Sequence, residues 1–216
     1  MIRRVRNVGL AIILAASPSF ADELKIAALG DSLTQGFGLP ADDGFVPQLE
    51  RWLQAQGAEV KLVNAGVSGD TTAGGLARTE WTLTPDIGAL IVALGGNDLL
   101  RGIEPSSSRE NLRGILEIAS GRDLPILLVG MEAPSNYGSE FKSSFDGMYP
   151  ELSEQFGTEY YPNFVGAITS LEPQAEAIEK FIQPDRIHPN ADGVALIVQD
   201  MGPSVLSLIE RALGEN

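Results

Sequence analysis

The sequence predicts an α/β fold, a single-domain three-layer α/β/α sandwich built on a mainly parallel sheet. Short apolar runs rich in Ile, Val and Leu recur along the chain, each ends in a small-residue turn, and segments of helical period lie between them. Strands buried on both faces of a parallel sheet read as continuous apolar runs, and the crossovers between them supply the covering helices.

The first run, residues 24–29, leads into Gly30. A helix is predicted over 45–56, where Phe45, Leu49, Trp52 and Leu53 share one face and Gly57 ends the pattern. The second run, 60–63, leads into Asn64-Ala65-Gly66, and the third, 89–94, into Gly95-Gly96. The helix predicted over 107–119 gathers Leu112, Ile115, Leu116 and Ala119 and stops before Gly121. The fourth run, 125–129, ends at Gly130. Helices over 140–156 and 191–213 complete the pattern, with Gly202-Pro203 expected to kink or divide the last one. Segment 162–184 is the least regular, with a weak strand signal before it and at most a short helix inside. There is no repeat, low-complexity tract or linker, and 216 residues suit one domain.

Composition removes several functions. A hydrophobic content of 44% is enough for a full core. With no cysteine, disulfides, thiolate zinc sites, iron–sulfur clusters and cysteine nucleophiles are excluded. A single histidine excludes a multi-histidine metal centre. The net charge of −14, with no basic cluster to offset it, repels phosphate backbones, so no nucleic-acid partner is expected.

Residues 1–21 carry Arg3, Arg4 and Arg6, then the apolar run 8–16, then Ser19-Phe20-Ala21. A basic start, a short apolar run and a small-x-small site are the parts of a secretory signal peptide. The expectation is export to the periplasm or beyond, with cleavage after Ala21 and a catalytic domain over 22–216. Cleavage removes three arginines and no acid, leaving a net charge of −17. No later segment reads as apolar enough to cross a membrane, so no stable insertion is expected after cleavage.

In open α/β sheets ligands sit beyond the carboxyl ends of the strands. The strand-end segments here are Gly30-Asp31-Ser32-Leu33, Gly66-Val67-Ser68-Gly69-Asp70 and Gly95-Gly96-Asn97-Asp98, so polar residues gather at one edge. Ser32 follows a sharp strand-to-helix turn, which exposes its hydroxyl and leaves backbone N–H groups free for an oxyanion. The one imidazole, His188, lies in Asp185-Arg186-Ile187-His188-Pro189-Asn190, where a carboxylate three residues earlier can turn back to Nδ1. Each feature alone has another reading. A lone His before Pro fits a loop, Asp185 fits a solvated turn, Asn190 fits a helix cap, and Gly95-Gly96-Asn97 fits turn chemistry.

The combination is more specific. Gly-Asp-Ser-Leu at the first strand end, Gly69 after the second, Gly-Gly-Asn-Asp after the third and Asp-x-x-His-Pro near the C-terminus resemble the GDSL, or SGNH, hydrolase family. The blocks stand in that family's order and span nearly all of residues 22–216. The resemblance implies a flavodoxin-like sheet, Ser32 as nucleophile, His188 as base and Asp185 as its orienter. It also implies oxyanion donation by the backbone N–H groups of Ser32 and Gly69 and the side-chain amide of Asn97. The absence of Gly-x-Ser-x-Gly around Ser32 argues against the larger α/β-hydrolase fold.

Within that family the segments Asn97-Asp98-Leu99-Leu100-Arg101-Gly102 and Ala133-Pro134-Ser135-Asn136-Tyr137-Gly138 are most similar to the exported bacterial thioesterase/lysophospholipase/arylesterase group. The expected reaction is hydrolysis of carboxylic esters or thioesters through an acyl-enzyme, with no metal or organic cofactor required. Leu99, Leu100 and Ile103, placed in a loop, are candidates to line an acyl groove or to tuck into the core, and Asn136 and Tyr137 are further substrate-side candidates. Expected substrates are short or medium acyl esters, aryl esters and lysophospholipids, since strong negative charge does not attract anionic acyl-coenzyme A. The alternatives are a carbohydrate O-acetylesterase of the same fold and a non-catalytic acyl-binding protein.

Overall fold

A computed structural model of the protein describes residues 23–214, so the signal-peptide expectation for residues 1–21 lies outside the described residues. The order begins β1 (Leu24–Gly30), α1 (Ser32–Gln35), α2 (Phe45–Ala55), β2 (Val60–Gly66), α3 (Thr72–Thr82) and β3 (Ile87–Ala93). It continues with α4 (Gly96–Leu100), α5 (Pro105–Ser120), β4 (Ile126–Val129), α6 (Ser139–Phe156) and β5 (Glu159–Tyr161). The chain closes with α7 (Gly166–Thr169), α8 (Gln174–Phe181) and α9 (Ala191–Leu213). All four apolar runs are strands, and the weak signal before residue 162 is β5.

The five strands are parallel, in the order β2-β1-β3-β4-β5. Helices α2 and α9 cover one face, and α3, α5 and α6 the other. The core lies between them; β1 from Ile26 to Leu29 and β4 from Ile126 to Val129 are buried throughout, as the unbroken apolar runs require.

Register positions the site. Gly30 pairs with Gly66 on one side and with Ala93 on the other, so β1, β2 and β3 end level with one another. Whatever follows Gly30, Gly66 and Ala93 emerges at a single edge. Strand order reverses between β1 and β3, where crossovers leave in opposite directions and a crevice opens.

Three expectations are corrected. Helix α9 is not divided at Gly202-Pro203 but runs on through it as one element. Pro203 faces solvent, while Met201, Gly202 and Val205 are buried, and Gly202 lies against the Trp52 ring of α2. Packing on both sides of the proline overrides the local penalty. By length and composition α9 also meets the requirement for spanning a membrane, with mean hydropathy 1.2 over its best window. Half of that window is buried within the protein, as expected of a core helix. Finally, Leu99 and Leu100 lie on the short helix α4 rather than in a loop.

Helix α3 was not legible in the sequence. Its residues Thr-Ala-Gly-Gly-Leu-Ala-Arg-Thr-Glu-Trp-Thr include two glycines and three threonines, poor helix formers with little amphipathic contrast. The Thr71 hydroxyl caps it by accepting from Gly74 N–H at 3.3 Å, and tertiary packing against α5 does the rest.

Candidate active site

Asp31 does two things at the end of β1. Its carboxylate caps α1 by accepting from Leu33 N–H at 3.0 Å, and it accepts from Asn97 Nδ2 at 3.2 Å. Ser32 therefore opens a helical turn, where its own N–H has no intrahelical partner. Burial pushes the Asp31 carboxyl up to about 6, against the opposing pull of Leu33 N–H and the Asn97 amide.

The edge beneath is held by two polar networks. Arg78 of α3 donates to Gly30 O at 2.8 Å, to Ala65 O at 2.7 Å and to the Asp70 carboxylate at 2.6 Å. One guanidinium thus joins the ends of β1 and β2 to the turn that contains Gly69. Asp98, fully buried, accepts from Thr72 N–H at 2.8 Å, from the Thr72 hydroxyl at 2.5 Å and from the Ser108 hydroxyl at 2.8 Å. That carboxylate ties α4 to the starts of α3 and α5 and so orients its neighbour Asn97.

His188 arrives from the far end of the chain. Its Nε2 lies 2.8 Å from Ser32 Oγ, and its Nδ1 lies 2.6 Å from Asp185 Oδ2. Desolvation pulls the Asp185 carboxyl upward, but the His188 ring and the N–H groups of Ile187 and His188 outweigh it and hold it at about 2. An ionised carboxylate only accepts, so Nδ1 carries the proton and Nε2 is left to accept from the Ser32 hydroxyl. The Phe37 ring leans on the imidazole with centroids 4.6 Å apart.

Gly69 adopts φ +84°, a conformation costly for other residues. A side chain there would meet little, the nearest atom being Arg101 Nη2 at 3.7 Å, so the backbone angle rather than crowding calls for glycine. The Gly69 carbonyl accepts from Arg101 Nη2 at 2.6 Å, and its N–H donates to no described group. Ser68 is occupied by a hydrogen bond to the Gln35 side chain.

These groups line a cleft of about 320 Å³. Ser32, Gly69, Asn97 and His188 are at its polar end, with Leu99, Leu100, Phe37, Met131, Val165 and Ile187 forming apolar walls. Leu99 packs partly against the core, while Leu100 stands 61% exposed at the rim. Ile103, Asn136 and Tyr137, the other substrate-side candidates, are not among the residues that line this cleft. Ile103 follows α4 on a turn closed by its own N–H to Asp98 O, and Asn136 faces solvent. Tyr137 supports the cleft from behind, its hydroxyl donating to Leu99 O at 2.6 Å. A larger groove of about 940 Å³ between α5 and α6, lined by Glu104, Arg109, Glu140 and Glu151, holds no imidazole.

Phe37, Met131, Val165 and Ile187 were missed in the sequence. Only Phe37 carried a signal, lying five residues after Ser32 between Gly36 and Gly38; the others meet the cleft only through folding.

A serine, imidazole and carboxylate in hydrogen-bonded series at the carboxyl edge of a parallel sheet define the class of serine hydrolases. The chain belongs, within that class, to the GDSL-like lipase/acylhydrolase family, whose model matches residues 28–196. It is 32% identical to the esterase TesA of Pseudomonas aeruginosa over 93% of this chain and 96% of that protein. It is 33% identical to thioesterase 1/protease 1/lysophospholipase L1 of Escherichia coli over 93% of this chain and 91% of that protein. Among solved structures, AlinE4, an SGNH-hydrolase family esterase, superposes with a TM-score of 0.70 at 42% identity, covering 88% of this chain and 98% of its own.

Proposed function

We propose that the protein hydrolyses carboxylic esters or thioesters through an acyl-enzyme on Ser32. His188 Nε2 takes the hydroxyl proton as Ser32 Oγ attacks the carbonyl carbon, and Asp185 stabilises the imidazolium that forms. The developing oxyanion is received by Ser32 N–H, Gly69 N–H and the Asn97 amide. Collapse expels the alcohol or thiol, which takes its proton from His188. Water then attacks the acyl-enzyme as His188 removes a proton from it, and Ser32 leaves with that proton restored. Asn97 donates without carrying charge, so it does not trap a carboxylate product. The observation that carries this reading is the continuous chain from Asp185 through His188 to Ser32, with bonds of 2.6 and 2.8 Å.

The cleft supports short or medium acyl chains, aryl esters and lysophospholipids as substrates: its apolar walls run from Ser32 to an open rim at Leu100 and Ile187. We further propose cleavage after Ala21 and a periplasmic or secreted enzyme comprising residues 22–216. The support is the tripartite pattern of residues 1–21. A chain-length series of p-nitrophenyl esters, run beside acetylated sugars, tests the substrate reading. Turnover peaking at two or more chain lengths above acetate supports it, whereas preference for acetylated sugar selects the O-acetylesterase alternative. The absence of both turnover of activated esters and fluorophosphonate labelling at Ser32 selects a binding protein.

A further inference from the structure

The loop that delivers the base has little apolar anchorage. Pro184, Asp185, Arg186 and Ile187 are all exposed, Ile187 by 48%, yet His188 must meet a hydroxyl 156 residues earlier in the chain. Gln183 stands at the root of this loop and closes it on itself. Its N–H donates to His188 O at 2.7 Å, its carbonyl accepts from Arg186 N–H at 2.9 Å, and its side-chain Nε2 donates to Pro189 O at 2.9 Å.

The same Nε2 makes one further bond, to Phe37 O at 2.8 Å. Phe37 N–H in turn donates to Ser32 O at 3.1 Å, and the Phe37 ring packs on the imidazole. A carboxamide nitrogen has two hydrogens. One is spent on the segment that carries the base, the other on the turn that carries the nucleophile. Gly38 makes room for this arrangement. At φ +77° it adopts a glycine conformation, and a Cβ there would lie 2.3 Å from Gln183 Oε1.

We propose that Gln183 is a positioning residue that sets the distance between His188 Nε2 and Ser32 Oγ by bridging their two segments. It touches neither reacting atom. The proposal rests on the Ser32–His188 reading above. A misplacement of about 1 Å is enough to cost on the order of 100-fold in rate, and among the described residues no other side-chain hydrogen bond joins 182–190 to the 32–38 turn except the dyad itself.

Gln183→Met keeps the length and removes both donors; Gln183→Asn keeps the amide but falls one methylene short. The expected result is a fall in kcat of about 10- to 100-fold for a short p-nitrophenyl ester, with KM changed less than about threefold. The rate of fluorophosphonate labelling at Ser32 should fall in step with kcat, while the thermal midpoint moves by only a few degrees. Wild-type kcat in both variants overturns the proposal, as does a loss that merely follows the unfolded fraction. Ser32→Ala, assayed in parallel, separates the two claims: if it is inactive while Gln183→Met is fully active, the triad reading stands and the bridge fails. If Ser32→Ala is active, both fail.

Discussion

Around Ser32, Gly69 and Asn97 the chain is anchored by polar groups almost out of solvent, Asp98 at 0% and Asp31 at 1% exposure, whereas the loop that carries His188 leaves Asp185 and Ile187 in water. The first region inherits its geometry from the sheet. Level strand ends, the Arg78 guanidinium and the Asp98 carboxylate place three backbone turns before any substrate arrives. The second region is held by a few hydrogen bonds and one ring contact. The edge that carries Ser32, Gly69 and Asn97 is thus part of the folding problem, and the loop that carries His188 is an attachment to it. Substitutions in the loop are expected to lower activity with little change in stability, and substitutions in the buried networks that hold the edge, at Arg78 or Asp98, to lower both.

The largest effect should come from either end of the dyad. Ser32→Ala or His188→Ala is expected to reduce kcat for p-nitrophenyl esters by about 10⁶-fold, and Asp185→Asn by about 10⁴-fold, judged from triads in other serine hydrolases. All three should keep thermal midpoints near that of the wild type in a calorimetric scan; a cooperative unfolding shift of more than a few degrees in His188→Ala would break the contrast between loop and edge. Next in size, Asn97→Ala should cost about 10²–10³-fold in kcat with KM little changed. A change confined to KM would show instead that the amide binds substrate in its ground state.

At the edge, Asp98→Ala leaves the Thr72 N–H and two hydroxyls without their acceptor. Denaturant titration should register a loss of about 1–3 kcal/mol, with kcat falling as Asn97 loses its support. Unchanged stability would mean that the network is ornamental. The last effect is a pH slope that leaves activity aside. Because the folded state holds the Asp31 proton more tightly than the unfolded chain, its carboxyl rising from 3.8 to about 6, its contribution to stability is complete below 3.8 and declines as pH rises to about 6. The decline is at most roughly 3 kcal/mol, and Asp31→Asn should flatten it in urea midpoints collected across that window. A slope of the same size in the variant would assign it to other groups.

The split between the two regions also explains what could be read from residues alone. Strands announced themselves as short apolar runs because both faces of a parallel sheet are buried: β4 is apolar throughout, and β1 is apolar from Ile26 to Leu29. Ser32, Gly69 and Asn97 were legible because each follows such a strand at a short, countable distance. Asp185 and His188 were legible through composition, as the chain has one imidazole and a carboxylate three residues before it. The apolar walls were not. Met131, Val165 and Ile187 look like ordinary core or loop residues, and only the crossings of β4, β5 and the base loop turn them toward Ser32. Ile103, Asn136 and Tyr137 lie outside the cleft lining, since closeness in sequence to a motif does not fix which side of a wall a residue occupies. Helix α3 stayed hidden because its stability comes from packing and a cap, not from its own pattern.

Among the serines of the described residues, Ser32 is the one bonded to His188, which is held on Asp185. Mass spectrometry of peptides after brief fluorophosphonate treatment tests most directly the proposal that this contact activates Ser32 alone, with esterase turnover followed in the same sample. The expected result is a single adduct on the peptide containing Ser32, formed in proportion to lost turnover and absent from His188→Ala. An adduct on Ser68 or any other serine, or full turnover with Ser32 modified, would contradict it.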